Sequence, residues 1–327
     1  MLYRGWLVGV ATLSFAGCGP SSSSGQLRVA LISPGSIADA AWNAGAYRGL
    51  LQMRDSIGAS ISHIEARTPA EQEEALRAFA SQGYDLVFAH GFEFQGAAER
   101  VSTQYPRTII IVTSGERAVG NVAPLIYRLE QASYLAGMVA GGMTRSNVIG
   151  FVGGIELPPI ESAYNGWVRG AKAVNPTVES RKIYLNSFDD AAAGREATLA
   201  LIRAGADVFH HNADAAALGL FQAVRETPGV YAFGANADQS SIAPDKVLGS
   251  AVIDLPHSFL LVAREVSSGT FRPDVKEFGL RSGVIRYLPN TALADRVPAD
   301  LRAKVAAAAD SIVNGMLQAT PRVAVAP

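Results

Sequence analysis

The sequence predicts an α/β protein built from two similar lobes, and three observations carry the prediction. Short β-rich runs alternate with longer stretches of helical period, which is the pattern of βαβ units with parallel sheets. Residues 74–90 read like residues 196–212, displaced by 122 positions: in both, a helix ends at a glycine (Gly83, Gly205), one residue intervenes, and an aspartate (Asp85, Asp207) opens a buried strand that finishes on polar side chains. The length, 327 residues of which 49% are hydrophobic, is enough for two ordinary domains that each bury a core.

At the N-terminus, Arg4 precedes an apolar run over residues 6–16. That run is about half of the ~20 residues that span a bilayer, and it fits the h-region of a secretory signal. Phe15-Ala16-Gly17-Cys18 resembles a lipobox, with Phe15 where leucine is usual. Residues 1–17 are therefore expected to be a lipoprotein signal peptide and Cys18 the lipid attachment site. Residues 18–26 form the lipidated tether, since Gly19 to Gly25 has no apolar face and the composition of a flexible linker. The bland alternative for Cys18 is a buried, inert thiol at the start of a first helix. As the one cysteine of the chain, it excludes an internal disulfide and a cysteine-based zinc site. With 28 Lys+Arg against 29 Asp+Glu and no basic run, the chain lacks the charge that nucleic-acid binding needs.

Candidate strands follow at 28–32, 60–64, 86–89, 108–112, 148–152, 182–185, 208–210, 230–233 and 248–253. Most are continuous apolar runs, as strands covered on both faces should be. Between them Trp42, Ala46, Leu50, Met53 and Ile57 keep helical spacing, as do Ala75 and Phe79. The first lobe is read as 27–125 plus about 254–283, and the second as 126–253 plus about 284–327. Two such lobes behind a lipid anchor suggest a binding protein that closes on its ligand by hinge motion.

Ligands of open parallel sheets bind beyond the carboxyl ends of the strands. Those ends carry Ser33 to Ser36, His90 to Phe94, Thr113-Ser114, Gly153 to Glu156, Asn186 to Asp189, His210-His211-Asn212 and Gly234 to Asp238. Aromatics mixed with amides, carboxylates and imidazoles suit a flat, polar-edged organic ligand, because rings stack on its faces and hydrogen-bonding groups read its rim. Only one of His210 and His211 can face a cleft, since neighbours on a strand point to opposite sides, and a lone buried histidine is commonly a satisfied core group. The same alternation spoils a metal site built from His210, His211 and Asp214. Phe92 and Phe94 are expected to split between core and cleft. Asp238 reads equally as a turn or helix cap, and Asp189-Asp190 as a solvated pair.

Several stretches, in order from about residue 28 to 285, resemble the basic membrane protein (BMP) family of substrate-binding lipoproteins, typified by purine nucleoside receptor A. They include Asp39-Ala40-Ala41-Trp42-Asn43 with Gly49, where the family writes D-K-S-F-N-x-x-x-x-x-G, then Tyr84 to Phe94, Glu130 to Gly137, Ile149 to Gly154, Asn175-Pro176, Ser187 to Asp190, and Gly234-Ala235-Asn236-Ala237-Asp238-Gln239, which resembles G-V-D-S-D-Q. The resemblance implies a type I periplasmic-binding-protein fold: two Rossmann-like lobes with parallel sheets joined by a hinge. It further implies a binding protein that feeds an ABC permease and ATPase with a purine nucleoside. By the same resemblance Trp42 stacks on the base with Asn43 beside it, Asn236 stands where an aspartate holds the ribose, and His210 lies near the strand end that supplies a second aromatic. Three positions depart from the family pattern: Pro34 and Asn236 replace acids and Ile253 a lysine. The stacking half of the site is kept and the ribose half rewritten, so the expected ligand is a purine nucleoside, a nucleobase or a related small planar molecule.

The expected ligand-binding residues are Trp42, Asn43, His90, Phe92, Ser114, Glu156, Phe188, His210, Asn212, Asn236 and Asp238. No cofactor or metal is expected. Gly-x-Ser-x-Gly, His-Glu-x-x-His and P-loop patterns are missing, and Gly150 to Gly154 is not a G-x-G-x-x-G turn, so no enzyme is expected. The expected state is a lipid-anchored monomer on the extracytoplasmic face of a cell-envelope membrane. Two other readings stay open: a ligand-sensing lipoprotein that signals to a membrane partner, and a periplasmic nucleoside-cleaving enzyme, which a titratable carboxylate pair facing the ligand would favour.

Overall fold

The structure, a computed structural model, describes residues 25–320. The expected signal peptide, Cys18 and most of the tether lie outside the described residues. Among the described residues no helix is long and apolar enough to cross a membrane.

Ten strands form the two sheet cores: β1 (Arg28–Ser33), β2 (Ser60–Glu65), β3 (Leu86–His90), β4 (Ile109–Thr113) and β5 (Val122–Tyr127), then β6 (Val148–Gly153), β7 (Glu179–Tyr184), β8 (Val208–Asn212), β9 (Tyr231–Asn236) and β10 (Val247–Ile253). Two short strands, β11 (Lys276–Phe278) and β12 (Ile285–Pro289), complete them. The orders are β11-β5-β4-β3-β1-β2 and β12-β10-β9-β8-β6-β7, so the lobes share one topology, strand for strand. All pairings are parallel except β10 with β12.

The helices are α1 (Trp42–Ile57), α2 (Pro69–Ser81), α3 (Gln95–Ser102), α4 (Leu129–Met143), α5 (Pro158–Val174), α6 (Ala191–Arg203), α7 (Ala217–Glu226), α8 (Leu255–Ser267) and α9 (Ala299–Val313). The displacement of 122 seen in the sequence holds here for whole elements: α2 maps onto α6 at their first residues 69 and 191, β3 onto β8 at 86 and 208, and the 3-10 turn Phe92–Phe94 onto Asp214–Ala216. Central strands such as β3 and β8 are buried at every position, because helices cover both faces of each sheet.

The chain passes between the sheets three times. After β5 it enters α4, which packs on α5; after β10 it enters α8, which packs back on α1; and it crosses finally between β11 and β12.

The sequence reading lacked β5, β11 and β12, and placed β7 three residues late. Pro124 inside β5 reads against a strand. It is tolerated because β11 pairs only with Leu125 to Tyr127, leaving Pro124 where one side of the strand is open. Strand β7, Glu-Ser-Arg-Lys-Ile-Tyr, is an edge strand with a polar first half, so its apolar signal starts late.

Candidate functional site

Between the lobes, at the carboxyl ends of both sheets, lies a cleft with about 600 Å³ of empty space. Pro34, Trp42, Gly91, Phe92, Glu93, Ser114 and Tyr127 line it from the first sheet's side; Leu157, Pro159, Ile160, Phe188, Asn212, Asp214 and Asn236 line it from the second, with Leu129 and Ile253 at the crossings.

Trp42 is aimed by its own motif. The buried Asp39 carboxylate accepts from the backbone N–H groups of Ala41, Asn43 and Ala44 and from Asn43 Nδ2, at 2.7–3.0 Å, tying down the free donors at the start of α1. Behind Trp42 lies His90, stacked at 4.1 Å between centroids and 22° between planes, while Tyr127 meets Trp42 edge-on at 6.2 Å. His90 Nε2 lies 3.2 Å from the Trp42 carbonyl, which can only accept, so Nε2 carries the proton; Nδ1 then accepts from Thr113 Oγ1 at 3.0 Å. Burial lowers the His90 pKa to about 3, so a neutral ring backs the indole. His90 is off the cleft lining, and it supports Trp42 from behind. Asn43 is buried and off the lining as well, held to Asp39, with its Oδ1 unpaired.

On the facing lobe, Asn236 Nδ2 donates to both Asn212 Oδ1 (3.3 Å) and Asp214 Oδ1 (3.2 Å), which fixes three lining residues in one cluster. Phe188 lies across Gly154, where any Cβ would overlap its ring. Among the described residues six non-glycine residues have positive φ, and three of them, Ser114 (56°), Asp214 (44°) and Asn236 (64°), line the cleft. Two more, Ala40 and Asn186, lie two residues before the lining aromatics Trp42 and Phe188. Backbone held in such conformations gathers at ligand-clamping sites, where surrounding contacts over-determine it.

Six of the expected residues meet in the cleft: Trp42, Phe92, Ser114, Phe188, Asn212 and Asn236. The structure does not bring His210 there. It is fully buried in the second lobe, with Nε2 3.1 Å from Ser133 Oγ, and packs against Trp167 and Phe151; burial lowers its pKa to about 3. Its neighbour His211 points to the other helix layer, donating to Gln239 Oε1 at 2.9 Å, and is lowered to about 4. Both faces of β8 are packed, and the cleft lies beyond its end, so the last residue, Asn212, is the one that reaches it. Glu156 and Asp238 are exposed and off the lining. Asp238 instead accepts from the Ser240 N–H at 3.0 Å in a turn.

Ten lining residues are not among the expected ones, and two of them, Glu93 and Asp214, are acids. Asp214 is buried, and its pKa is raised well above the usual carboxylate value, first by desolvation and then by repulsion from Asp39, against which the Asn236 hydrogen bond works. Glu93 lines the cleft from the other lobe. Its side chain is in contact with cleft solvent, yet surrounding protein desolvates the carboxylate enough to raise its pKa. The 122-residue repeat held the signal for Asp214, since it maps onto Phe92, the first residue of the corresponding turn. One ion pair also joins the lobes, Arg67 Nη1 to Asp189 Oδ2 at 2.8 Å.

A family model described as ABC transporter substrate-binding protein PnrA-like matches residues 26–316. The chain is 27% identical over 309 residues to basic membrane protein A2 of Borrelia garinii subsp. bavariensis, covering 92% of this chain and 90% of that one. It is 24% identical over 282 residues to a purine-binding protein of Brucella abortus, covering 85% and 80%. Its fold matches a solute-binding protein of an ABC transporter system from Aeropyrum pernix with a TM-score of 0.82 at 21% identity, covering 89% of this chain and 92% of that one.

Proposed function

The chain belongs to the PnrA-like family of ABC transporter substrate-binding proteins, and from that premise we propose that it binds a purine nucleoside, a nucleobase or a related planar molecule between its lobes and hands it to an ABC permease and ATPase. One observation carries the choice of ligand: an indole face, Trp42, backed by a neutral imidazole and bordering a cleft that also holds the aromatic rings of Phe92, Tyr127 and Phe188 and the amides of Asn212 and Asn236. The purine-binding name of the Brucella relative supports the same choice. The protein works outside the cytoplasm, anchored through a lipid on Cys18, and closes about the three crossings between the lobes.

At the sugar end, Ile253 brings hydrocarbon to the cleft, and both Nδ2 hydrogens of Asn236 are taken up within its own lobe. A sugar hydroxyl buried against Ile253 would lack a partner at a cost of about 1–3 kcal/mol. The preference for nucleoside over free base is therefore small, or reversed. Mass spectrometry of ligand carried through purification, then calorimetry with adenosine, guanosine, inosine and their bases, tests this. Tight nucleoside binding with no detectable base binding would refute the reading of the sugar end, and no purine binding at all would refute the ligand class.

The carboxylates Glu93 and Asp214 favour one second reading, cleavage of a bound nucleoside, in which one acid protonates the departing base and the other draws the proton from an attacking water. Chromatography of inosine held with the protein decides it: release of hypoxanthine that Asp214→Asn abolishes would establish an enzyme.

A further inference from the structure

We propose that the ligand is a planar organic cation, its positive charge held between Glu93 of one lobe and Asp214 of the other. The inference rests on the cleft being the ligand site and adds the ligand's charge to that reading.

Among the residues lining the cleft there are two carboxylates, one from each lobe, and no lysine, arginine or histidine. Asp214 is only 8% exposed. Its Oδ1 accepts from Asn236, and its Oδ2 makes no hydrogen bond among the described residues. Asp214 as a whole is withdrawn from water while Oδ2 stays open to the cleft, and such a carboxylate gains from a cation or a strong donor placed against that oxygen.

The charged groups that act on Asp214 are Asp39, Glu93 and Asp189, all acids. Arg67 is engaged with Glu65 and Asp189. Acids from both lobes thus act on one another across the cleft, and a ligand bearing positive charge removes that repulsion. Desolvation raises the pKa of both carboxylates, and at Asp214 repulsion from Asp39, with smaller contributions from Glu93 and Asp189, adds to it. Trp42, Phe92, Phe188 and Tyr127 add aromatic faces, which attract cations when water is excluded. No group of three His, Cys, Asp or Glu among the described residues is arranged to hold a metal ion, so the chemistry points to an organic cation.

The test compares two isomers by calorimetry at neutral pH: 1-methyladenosine, which carries a positive charge, and N6-methyladenosine, which is neutral. The native protein is expected to prefer the cation by about tenfold or more, as expected for a close, desolvated charge pair. Asp214→Asn and Glu93→Gln should each reduce that preference severalfold. Asparagine accepts the positive φ of position 214, and unfolding curves check that both variants fold. Equal affinity for the isomers, or preference for the neutral one, overturns the charge inference and leaves the purine reading standing. So does binding of adenosine with neither isomer, because a site built for a ring cation must admit the ring that carries it. If no purine binds, the purine reading fails by itself, and thiamine against its neutral product thiochrome decides the charge: selective binding of thiamine supports the inference, and binding of neither overturns it.

Discussion

Replacing Gly170 by alanine should destabilise the second lobe, although the same change in an exposed helix stabilises. Helices α4 and α5 meet backbone to backbone along Gly137 and Gly141 on one and Gly166 and Gly170 on the other. A Cβ at any of the four would overlap a carbonyl oxygen of the opposite helix. At Gly170 the methyl would strike the Tyr134 carbonyl and lie 2.7 Å from its carbon, where 3.4–4 Å is ordinary contact. Backbone cannot swing aside, so the helices must part by roughly 1 Å, a gap that forfeits a quarter to a half of the dispersion energy of each atom pair affected. Overpacking of this kind costs about 1–3 kcal/mol, and the rigid obstacle puts Gly170 at the upper end. Alanine returns about 1 kcal/mol of helix propensity, leaving a net loss of about 2 kcal/mol. The control is Gly96 of α3, exposed and facing only the end of the Arg100 side chain at 3.4 Å, where alanine should gain up to about 1 kcal/mol. Urea unfolding of the two variants measures both signs. Leu129 begins α4, and Pro159 and Ile160 lie in the first turn of α5, all on the cleft, so Gly170→Ala should also weaken ligand binding while Gly96→Ala leaves it unchanged. A Gly170→Ala protein as stable as the native one would refute the close-packed seam.

Trp42→Ala should weaken a purine ligand at least roughly tenfold, since the stack is worth about 0.5–1.5 kcal/mol beyond the area it covers; a change below twofold by calorimetry would show that the indole is not the stacking face. Arg67→Ala should lower affinity by no more than about fivefold, because both partners of its bridge are half exposed (51% and 53%) and such pairs are worth about 0.2–1 kcal/mol; the effect should shrink at high salt, and a loss persisting there would mean that Arg67 touches the ligand. Acid should unfold the protein steeply below about pH 4.5. His90 and His210 (about 3) and His211 (about 4) stay neutral in the fold while the unfolded chain protonates them below 6.5, so they remove stability as pH falls. Glu130, pushed up to about 7 by burial, and Glu93 and Asp214, also raised, act with the opposite sign, costing stability as pH rises above ordinary carboxylate values. The raised acids oppose the histidines above ordinary carboxylate values; below those values the three histidines give a slope of at most about 4 kcal/mol per pH unit, one proton being worth about 1.4, and the slope falls as His211 takes up its own proton near pH 4. Urea midpoints measured from pH 7 to 4 check this, and Glu130→Gln should move the onset of the loss toward pH 6.5.

The two-lobed fold was legible in the sequence by itself because its signals are local. Buried strands read as apolar runs, helices as 3.6-residue periods, and one supersecondary unit recurs after 122 positions in sequence and structure alike. The rule that ligands gather beyond strand ends pointed to Phe92, Ser114, Phe188, Asn212 and Asn236, and the family resemblance to Trp42, all six of which line the cleft. Tertiary structure decided what each strand end faces and which of them meet. His90 and His210 end or nearly end their strands, as Asn212 does, yet helix layers over both sheet faces take the imidazoles into the lobes and leave the cleft to the final residue of β8. Glu93 and Asp214 belong to separate repeats, and no periodicity in either repeat reveals that the two acids line one cleft. The short strands β11 and β12 had no local signal of their own, because a strand of three to five residues at a sheet edge is specified by the neighbour it pairs with.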